Sequence, residues 1–142
     1  MGEKVRIAIK GQRFMDGEKE SVDMSADGNY YRRDGKYYIL YEATTEDRGT
    51  VRNLVKVSPD CLEITKSGEI RSSMVFRQGK KTETAYRTFV GRLSMGIGTR
   101  RLEVLERDGE LEILVDYSIE INGQQVSDSI LAITVSHQGD RD

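Results

Sequence analysis

The side chains best suited to chemistry in this chain of 142 residues include one histidine, His137, and one cysteine, Cys61. Catalytic triads pair a nucleophile with a base, and most zinc sites need several His or Cys ligands. With one histidine and one cysteine, the chain can form a catalytic or metal site from these residues only if folding brings His137 and Cys61 together. We therefore predict no catalytic residue, no metal site and no cofactor. We interpret His137 as a structural residue or as part of a barrel rim.

Ser94 lies in a glycine-flanked segment that superficially resembles the nucleophile elbow of hydrolases. The elbow has one residue between the serine and each glycine, but two residues separate Gly91 from Ser94. No helical pattern follows the serine, although the elbow joins a strand to a helix. We interpret Gly91 and Gly96 as sites of a bend or bulge in a long strand.

Acidic residues alternate with mostly apolar ones late in the chain; they are Glu110, Glu112, Asp116 and Glu120. Carboxylates that act as acid and base need an enclosed site that separates their pKa values. An alternating stripe instead predicts the solvated face of a sheet. The formal net charge of -2, from 22 Lys and Arg against 24 Asp and Glu, gives no general attraction to nucleic acid or to an anionic membrane. From the overall charge we expect neither partner, although a local patch could still attract one.

Period-two alternation and turn dipeptides dominate the chain. The odd positions of residues 111–121 are apolar or aromatic, which is typical of a strand with one buried face. Asp-Gly, Asn-Gly or Ser-Gly pairs separate the strand-like segments, at residues 27–28, 34–35, 67–68, 108–109 and 122–123. Such pairs supply the positive φ angles that tight hairpin turns require.

Earlier strands are predicted over residues 5–13, 21–33, 36–44, 51–58, 62–66 and 69–78, followed by a long segment over residues 82–97. A break in the second strand near Gly28 stays open. About eight to ten strands with short connections predict an all-β, single up-and-down antiparallel β-barrel with little or no helix. Residues 1–142 are expected to form one domain, with residues 139–142 as a loose tail. One cysteine and the absence of an apolar leader indicate a cytoplasmic protein.

The register near the end of the chain follows from matching apolar faces, because a one-residue slip turns every side chain to the other face. A two-residue turn at residues 122–123 would set Tyr117 against Asp128. We therefore expect either a five-residue loop over residues 122–126, which pairs Tyr117 with Leu131, or a bulge.

Three segments together resemble a known group: residues 86–95 (YRTFVGRLSM), residues 69–76 (EIRSSMVF) and the closing strands of residues 111–135. They resemble the YwiB-like family of small bacterial proteins, which are calycin-like β-barrels of unknown function. The resemblance covers nearly the whole chain and implies a lipocalin-type barrel. By analogy of fold it also implies a ligand cavity. The closing strand lacks the Arg-x-Tyr pair with which fatty-acid-binding proteins hold a carboxylate, which speaks against that ligand.

A ligand site inside the barrel is the first candidate, because a barrel of about eight strands either fills its interior or holds one small ligand. Unbroken alternation would turn Arg87 inward, where its charge needs an internal Glu or an anionic group of the ligand. A bulge at Gly91 would instead turn Tyr86 inward and Arg87 outward. The predicted lining residues are Phe76, Tyr86, Arg87, Met95 and Tyr117.

A second candidate is a surface of tyrosines and arginines around the turn at residues 34–35. It comprises Tyr30, Tyr31, Arg32, Arg33, Tyr37 and Tyr38. Aromatic rings interleaved with arginine can stack on bases or hold an anionic partner. Tyr31 opposite Tyr38 is also ordinary cross-strand packing.

Three functions follow from these candidates. The first is a non-catalytic barrel that binds a small, mostly apolar or amphipathic molecule. The alternative is a protein- or RNA-interaction module, which predicts a filled barrel and one contiguous Tyr/Arg patch. The third is an enzyme with a dispersed site, because residues that meet only in three dimensions leave no mark in the sequence. Ligand identity and oligomeric state do not follow from the sequence.

Overall fold

A computed structural model describes residues 3–44, 49–68, 72–88 and 91–137, and for residues 85–88 it describes the backbone alone. Within these ranges the chain forms strands and turns. None of the described residues forms a helix that is long and apolar enough to cross a membrane. The strands are β1 (Glu3–Met15), β2 (Glu18–Arg33), β3 (Lys36–Thr44), β4 (Thr50–Ser58), β5 (Cys61–Gly68), β6 (Ser72–Arg77), β7 (Lys81–Thr88), β8 (Gly91–Arg107), β9 (Glu110–Ile121) and β10 (Gln124–His137).

The strands form one antiparallel sheet in the order β6-β5-β4-β3-β2-β1-β10-β9-β8-β7. Every neighbour in this sheet is also a neighbour along the chain except for β1 and β10, which pair from Val5 with His137 to Phe14 with Asp128. This pairing wraps the meander into a nearly closed barrel, with β6 and β7 as its two edges. The predicted all-β, up-and-down antiparallel barrel of eight to ten strands is therefore confirmed.

The two edge strands meet at a seam that is held by individual hydrogen bonds. The hydroxyl of Thr82 on β7 donates to the carbonyl of Val75 on β6 at 2.6 Å. Gln78, in the turn between these strands, accepts from the backbone N–H of Leu102 at 2.6 Å and donates to the carbonyl of Arg100 at 3.3 Å. The seam is thus fastened to β8 at one end of the barrel.

Tight turns with positive φ close several hairpins, as the dipeptides predicted. Asp34 and Gly35 have φ of 54° and 77°, and Asp108 and Gly109 have φ of 53° and 79°. Positive φ at both central residues is the signature of a type I′ turn, whose twist matches that of the strands. These two turns lie at the end of the barrel that we call the closed end. The turns at residues 16–17 and 122–123 lie at the opposite, open end.

The prediction for the last hairpin was half right. Residues 122–123 form a two-residue turn, with Ile121 paired to Gln124, so the five-residue loop is wrong. A register shift between Gln125 and Ser127 supplies the bulge that was the other expectation. Tyr117 consequently pairs with Ser129 and not with Leu131. The observed partner of Tyr117 is two residues away from the expected one. Because side chains alternate with a period of two, the apolar faces of β9 and β10 still match.

The segment predicted as one strand over residues 82–97 is two strands, β7 and β8, which pair from Lys81 with Gly98 to Thr88 with Gly91. A second register shift lies in β8 between Thr99 and Arg101. The intervening Arg100 reaches across β9, and its guanidinium lies 2.7 Å from Asp116 Oδ1 and 3.1 Å from Asp128 Oδ1 on β10. Both ion pairs are solvent-exposed, so each contributes little alone.

The barrel core consists of the inward side chains of alternating positions, and it is densest toward the closed end. Fully buried members include Val5, Ile7, Val57, Leu62 and Val115. Among the described residues, one small space of about 20 Å³ lies at the closed end, beside Val5, Leu111 and Val135, and it holds about one water molecule. Branched aliphatic side chains at successive inward positions therefore fill this end of the barrel.

The break near Gly28 that the sequence left open does not occur, because β2 runs through this residue without a turn. Gly28 is instead a point of close approach between strands. A Cβ atom there would lie 2.5 Å from the carbonyl oxygen of Leu40 and 2.7 Å from Cδ1 of Ile7. The glycine is required by lack of space and not by a positive φ.

We predict that Gly28→Ala lowers the free energy of unfolding by about 2 kcal/mol or more, because the added methyl group overpacks the wall. Gly96→Ala is the matched control, since its Cβ would meet nothing closer than 3.5 Å. Both substitutions reduce the entropy of the unfolded chain equally. Urea unfolding of the two variants measures the difference, and equal stabilities would contradict the close approach.

Candidate ligand-binding site

A cavity of about 490 Å³ lies inside the barrel toward the open end. This volume is within the range of roughly 300–1,000 Å³ that small-molecule sites occupy. The mouth is marked by Val22, an inward residue that is still 57% exposed, and by Arg13 and Glu20. The apolar part of the lining includes Ile9, Met24, Ile64, Met74, Leu131 and Ile133.

The sequence leaves this space because inward positions near the open end carry small or flexible side chains. Gly11 lies on the inner face of β1, and Ser129 lies on that of β10, so neither wall projects far. Met24 and Met74 are unbranched and fill space irregularly. The same barrel is therefore packed at one end and hollow at the other.

Three of the five predicted lining residues come together on the cavity wall: Phe76, Met95 and Tyr117. Phe76 and Met95 are buried. The ring of Phe76 meets that of Tyr117 edge to face, with centroids 4.8 Å apart and planes at 71°. The aromatic pair forms the deep side of the cavity.

The other two predicted residues, Tyr86 and Arg87, have side chains outside the described part of the structure. The backbone ladder pairs Tyr86 with Leu93, and Arg87 with Arg92. Leu93 is half-buried and Arg92 is exposed. The role of Tyr86 and Arg87 in ligand binding stays a prediction.

A row of polar residues crosses the inner wall of β2, β1, β10, β9 and β8 through consecutive cross-strand pairs. Neighbours in the row are cross-strand partners, and the row reads Glu20, Arg13, Ser129, Tyr117 and Thr99. Glu20 and Arg13 form an ion pair of 2.6 Å at the mouth. Toward the other end Tyr117 is half-buried, while Ser129 and Thr99 are buried. The Thr99 hydroxyl is the one buried side-chain group among the described residues without a hydrogen-bond partner. The row therefore runs from an ion pair in solvent to a polar group in the core.

Tyr117 is the central member of this row. Burial raises the pKa of its hydroxyl, while a hydrogen bond with Ser129 and the positive charge of Arg13 partly offset that rise. The hydroxyl thus stays protonated under ordinary conditions and can donate or accept a hydrogen bond inside the cavity.

The opposite wall carries a second polar set on β3, β4 and β5. Tyr41 pairs with Asn53, and Asn53 pairs with Lys66. Tyr41 and Asn53 are buried, and Lys66 is half-buried. Tyr41 and Lys66 both line the cavity. The sequence prediction missed Lys66, although its place two residues after Ile64 in an alternating strand could have indicated an inward side chain.

The predicted Tyr/Arg surface is divided between the two faces of the sheet. Tyr30 and Tyr37 stack with centroids 6.1 Å apart and pack against the barrel core. The guanidinium of Arg32 lies over the Tyr37 ring at 5.1 Å. Tyr37 donates a hydrogen bond of 2.7 Å to Glu106 at the closed end.

The remaining three members of that surface lie on the outer side. Tyr31 stacks on Tyr38 with centroids 5.0 Å apart and planes at 6°. Arg33 is exposed beside them, and Lys56 lies 6.0 Å from the centre of the Tyr38 ring. The six residues do not form one contiguous patch.

His137 lies at the rim of the closed end, as the sequence indicated. Its Nδ1 lies 3.0 Å from Glu3 Oε1, and its ring meets that of Tyr30 edge to face. Within the described ranges, no three His, Cys, Asp or Glu side chains are grouped so that they could hold a metal ion.

Known proteins share this architecture. The family model described as Domain of unknown function (DUF1934) matches residues 7–133. The uncharacterized β-barrel protein YwiB of Bacillus subtilis (strain 168) is 24% identical over 135 residues, which cover 95% of this chain and 93% of YwiB. A crystal structure of the ywiB protein from Bacillus subtilis matches with a TM-score of 0.84 at 20% identity, covering 96% of this chain and 93% of that one. The resemblance inferred from the three segments is confirmed, and the likeness in structure shows the fold.

We predict that Tyr41 makes stability fall at alkaline pH. Burial raises its pKa above the ordinary value of about 10, so the unfolded chain releases the proton first as the pH rises. Its stabilising contribution is complete below about pH 10 and is lost as the pH rises through the folded-state pKa. Urea unfolding between about pH 8 and pH 11 should therefore show a smaller loss for Tyr41→Phe than for the unaltered protein. Equal losses would contradict this role of Tyr41.

Proposed function

The chain belongs to the family named Domain of unknown function (DUF1934), and on that premise we propose that it is a non-catalytic binding protein whose barrel holds one small apolar or amphipathic molecule. The single observation that supports this function best is the open cavity of about 490 Å³. At the closed end of the same barrel, a space of about 20 Å³ lies among the described residues, and the inward side chains beside it, such as Val5 and Val135, are buried. A barrel whose interior served stability alone would gain by filling both ends, since empty volume forfeits dispersion contacts.

The lining favours an apolar ligand with a polar end. Most of the lining side chains are aliphatic, aromatic or thioether groups, while charged groups are confined to the region of the mouth. Each methylene moved from water into such a lining contributes about 0.8 kcal/mol. Affinity for a series of straight-chain compounds should therefore rise with chain length until the cavity is full.

The interaction-module alternative has less support from the geometry. It requires a filled barrel and a contiguous Tyr/Arg surface, whereas Tyr30 and Tyr37 pack inward and Tyr31 and Tyr38 stack on the outer face. The proposal includes the absence of catalysis. It also includes a cytoplasmic location, which is expected from the single cysteine.

We predict that Ile64→Trp weakens the binding of an apolar dye, N-phenyl-naphthylamine, by about tenfold or more, because the larger ring occupies the cavity. Thr65→Trp is the matched control, since the neighbouring position faces away from the cavity. Fluorescence titration measures the dissociation constants, and thermal unfolding checks that both variants are folded. Binding that is unaltered in Ile64→Trp, or undetectable in the unaltered protein, would exclude this cavity as the site.

A further inference from the structure

We propose that the ligand of this cavity is an amphipathic anion, and that Lys66 binds its negatively charged end. The inference rests on the binding function proposed above and adds the chemical class of the ligand. It follows from the charges on the cavity wall, from the surroundings of Lys66 and from the direction of the polarity gradient inside the barrel.

Three charged side chains line the cavity in the described part of the chain: Arg13, Glu20 and Lys66. Arg13 and Glu20 neutralise each other in an ion pair of 2.6 Å. Lys66 has no ion-pair partner among the described residues, where the lysine ion pairs are Lys56 with Glu63 and Lys81 with Glu120. Among the described residues, Lys66 therefore contributes a positive charge to the cavity wall that no ion pair neutralises.

The position of Lys66 makes this charge more effective than one on the outer surface. On β5 the inward side chains are Leu62, Ile64 and Lys66, and they pass from buried to half-buried toward the mouth. The lysine stem can lie along the apolar wall while the ammonium group reaches the polar region. Because the wall excludes part of the solvent, an anion beside this ammonium is attracted more strongly than at a fully hydrated site.

Hydrogen-bonding groups accompany the charge on the same wall. Asn53 is the cross-strand partner of Lys66, and Tyr41 is the partner of Asn53 on its other side. Both are buried, and the Asn53 amide makes only a long hydrogen bond of 3.4 Å to the carbonyl of Val51. A hydroxyl and an amide thus lie in register with the ammonium group.

The far end of the cavity has the opposite character. Deeper in the barrel, Ile64 pairs with Met74, and Leu62 pairs with Phe76. An extended molecule with one anionic end would place that end near Lys66 and its apolar part toward Phe76. The reverse orientation would bury a charge among apolar groups, at a high cost in free energy.

The absent Arg-x-Tyr pair on the closing strand does not contradict this orientation. That pair would place a cation on β10, whereas the cation that lines the cavity without an ion-pair partner among the described residues, Lys66, lies on β5. Carboxylates and phosphate monoesters share the required chemistry, an anionic end on an apolar chain. The experiment must therefore distinguish these two sources.

The test measures displacement of N-phenyl-naphthylamine from the full chain by three compounds with the same alkyl chain: dodecanoate, dodecyl phosphate and dodecanol. At about pH 8 the carboxylate is ionised, so dodecanoate and dodecanol differ chiefly in charge. We expect at least one of the two anions to bind tenfold or more tightly than dodecanol. Lys66→Met should remove this preference and leave dodecanol binding within about twofold.

Two further variants complete the design. Lys56→Met is the matched control, since Lys56 lies on the adjacent strand, points outward and pairs with Glu63 at 3.8 Å; it should keep the preference for anions. Lys66→Arg should also keep it, because the positive charge remains. If thermal denaturation shows that the Lys66→Met variant is not folded, the Lys66→Gln variant replaces it.

Each outcome decides the inference. A preference for dodecanoate or for dodecyl phosphate that depends on Lys66 supports it and identifies the anionic group. Binding of dodecanol with no preference for either anion, or a preference that survives in Lys66→Met, overturns this inference and leaves the binding function in place. Failure of all three compounds and of the dye to bind the unaltered protein overturns the binding function as well.

Discussion

The antiparallel ladder between the first and last strands is the constraint on which the rest of the structure depends. It joins β1 to β10 over residues that are more than a hundred positions apart in sequence, from Val5 with His137 onward. Every other ladder connects strands that follow each other along the chain. Without the β1–β10 ladder the meander would be two open sheets, and the apolar inner face of each would lack an opposite wall. The entropy of closing so long a loop must be offset by the burial of both faces at once.

Barrel width and side-chain size together explain why the interior is partly empty. The diameter of a barrel grows with the number of its strands, and nearly closed curvature with ten strands leaves a wide interior. Branched side chains such as Val57 and Ile113 fill it toward the closed end. Gly11 and Ser129 project too little to do so near the open end. The cavity is therefore a consequence of which inward positions carry large groups.

Much of the fold could be predicted from local patterns, because alternation and turn dipeptides are direct consequences of backbone geometry. The turns at Asp34 and Asp108 and the strand over residues 110–121 illustrate this. Gly28 was misread, since a glycine required by close packing looks the same in sequence as one required by a turn. Matching the apolar faces predicted either a longer loop or a bulge at the last hairpin. It could not show that the bulge lies between Gln125 and Ser127.

The candidate site was predicted in its apolar part, and alternation along β5 could also have indicated Lys66. Phe76, Met95 and Tyr117 follow the alternation of their strands, so their common location could be inferred. Arg13 and Glu20 could not be found in this way, because charged residues near strand ends resemble ordinary surface groups. Only the cross-strand register brings them into one row with Ser129 and the buried Thr99.

The seam between β6 and β7 gives the barrel a mechanical property that a continuous ladder would not allow. Where the structure describes these edges, they are joined by single contacts such as the Thr82 to Val75 hydrogen bond. The molecule is thus a cylinder slit along its length and fastened at a few points. Such a barrel can change its circumference when the few hydrogen bonds across the seam break, while the backbone hydrogen bonds between all the other neighbouring strands stay intact. A fully closed barrel can widen only if backbone hydrogen bonds between two paired strands break.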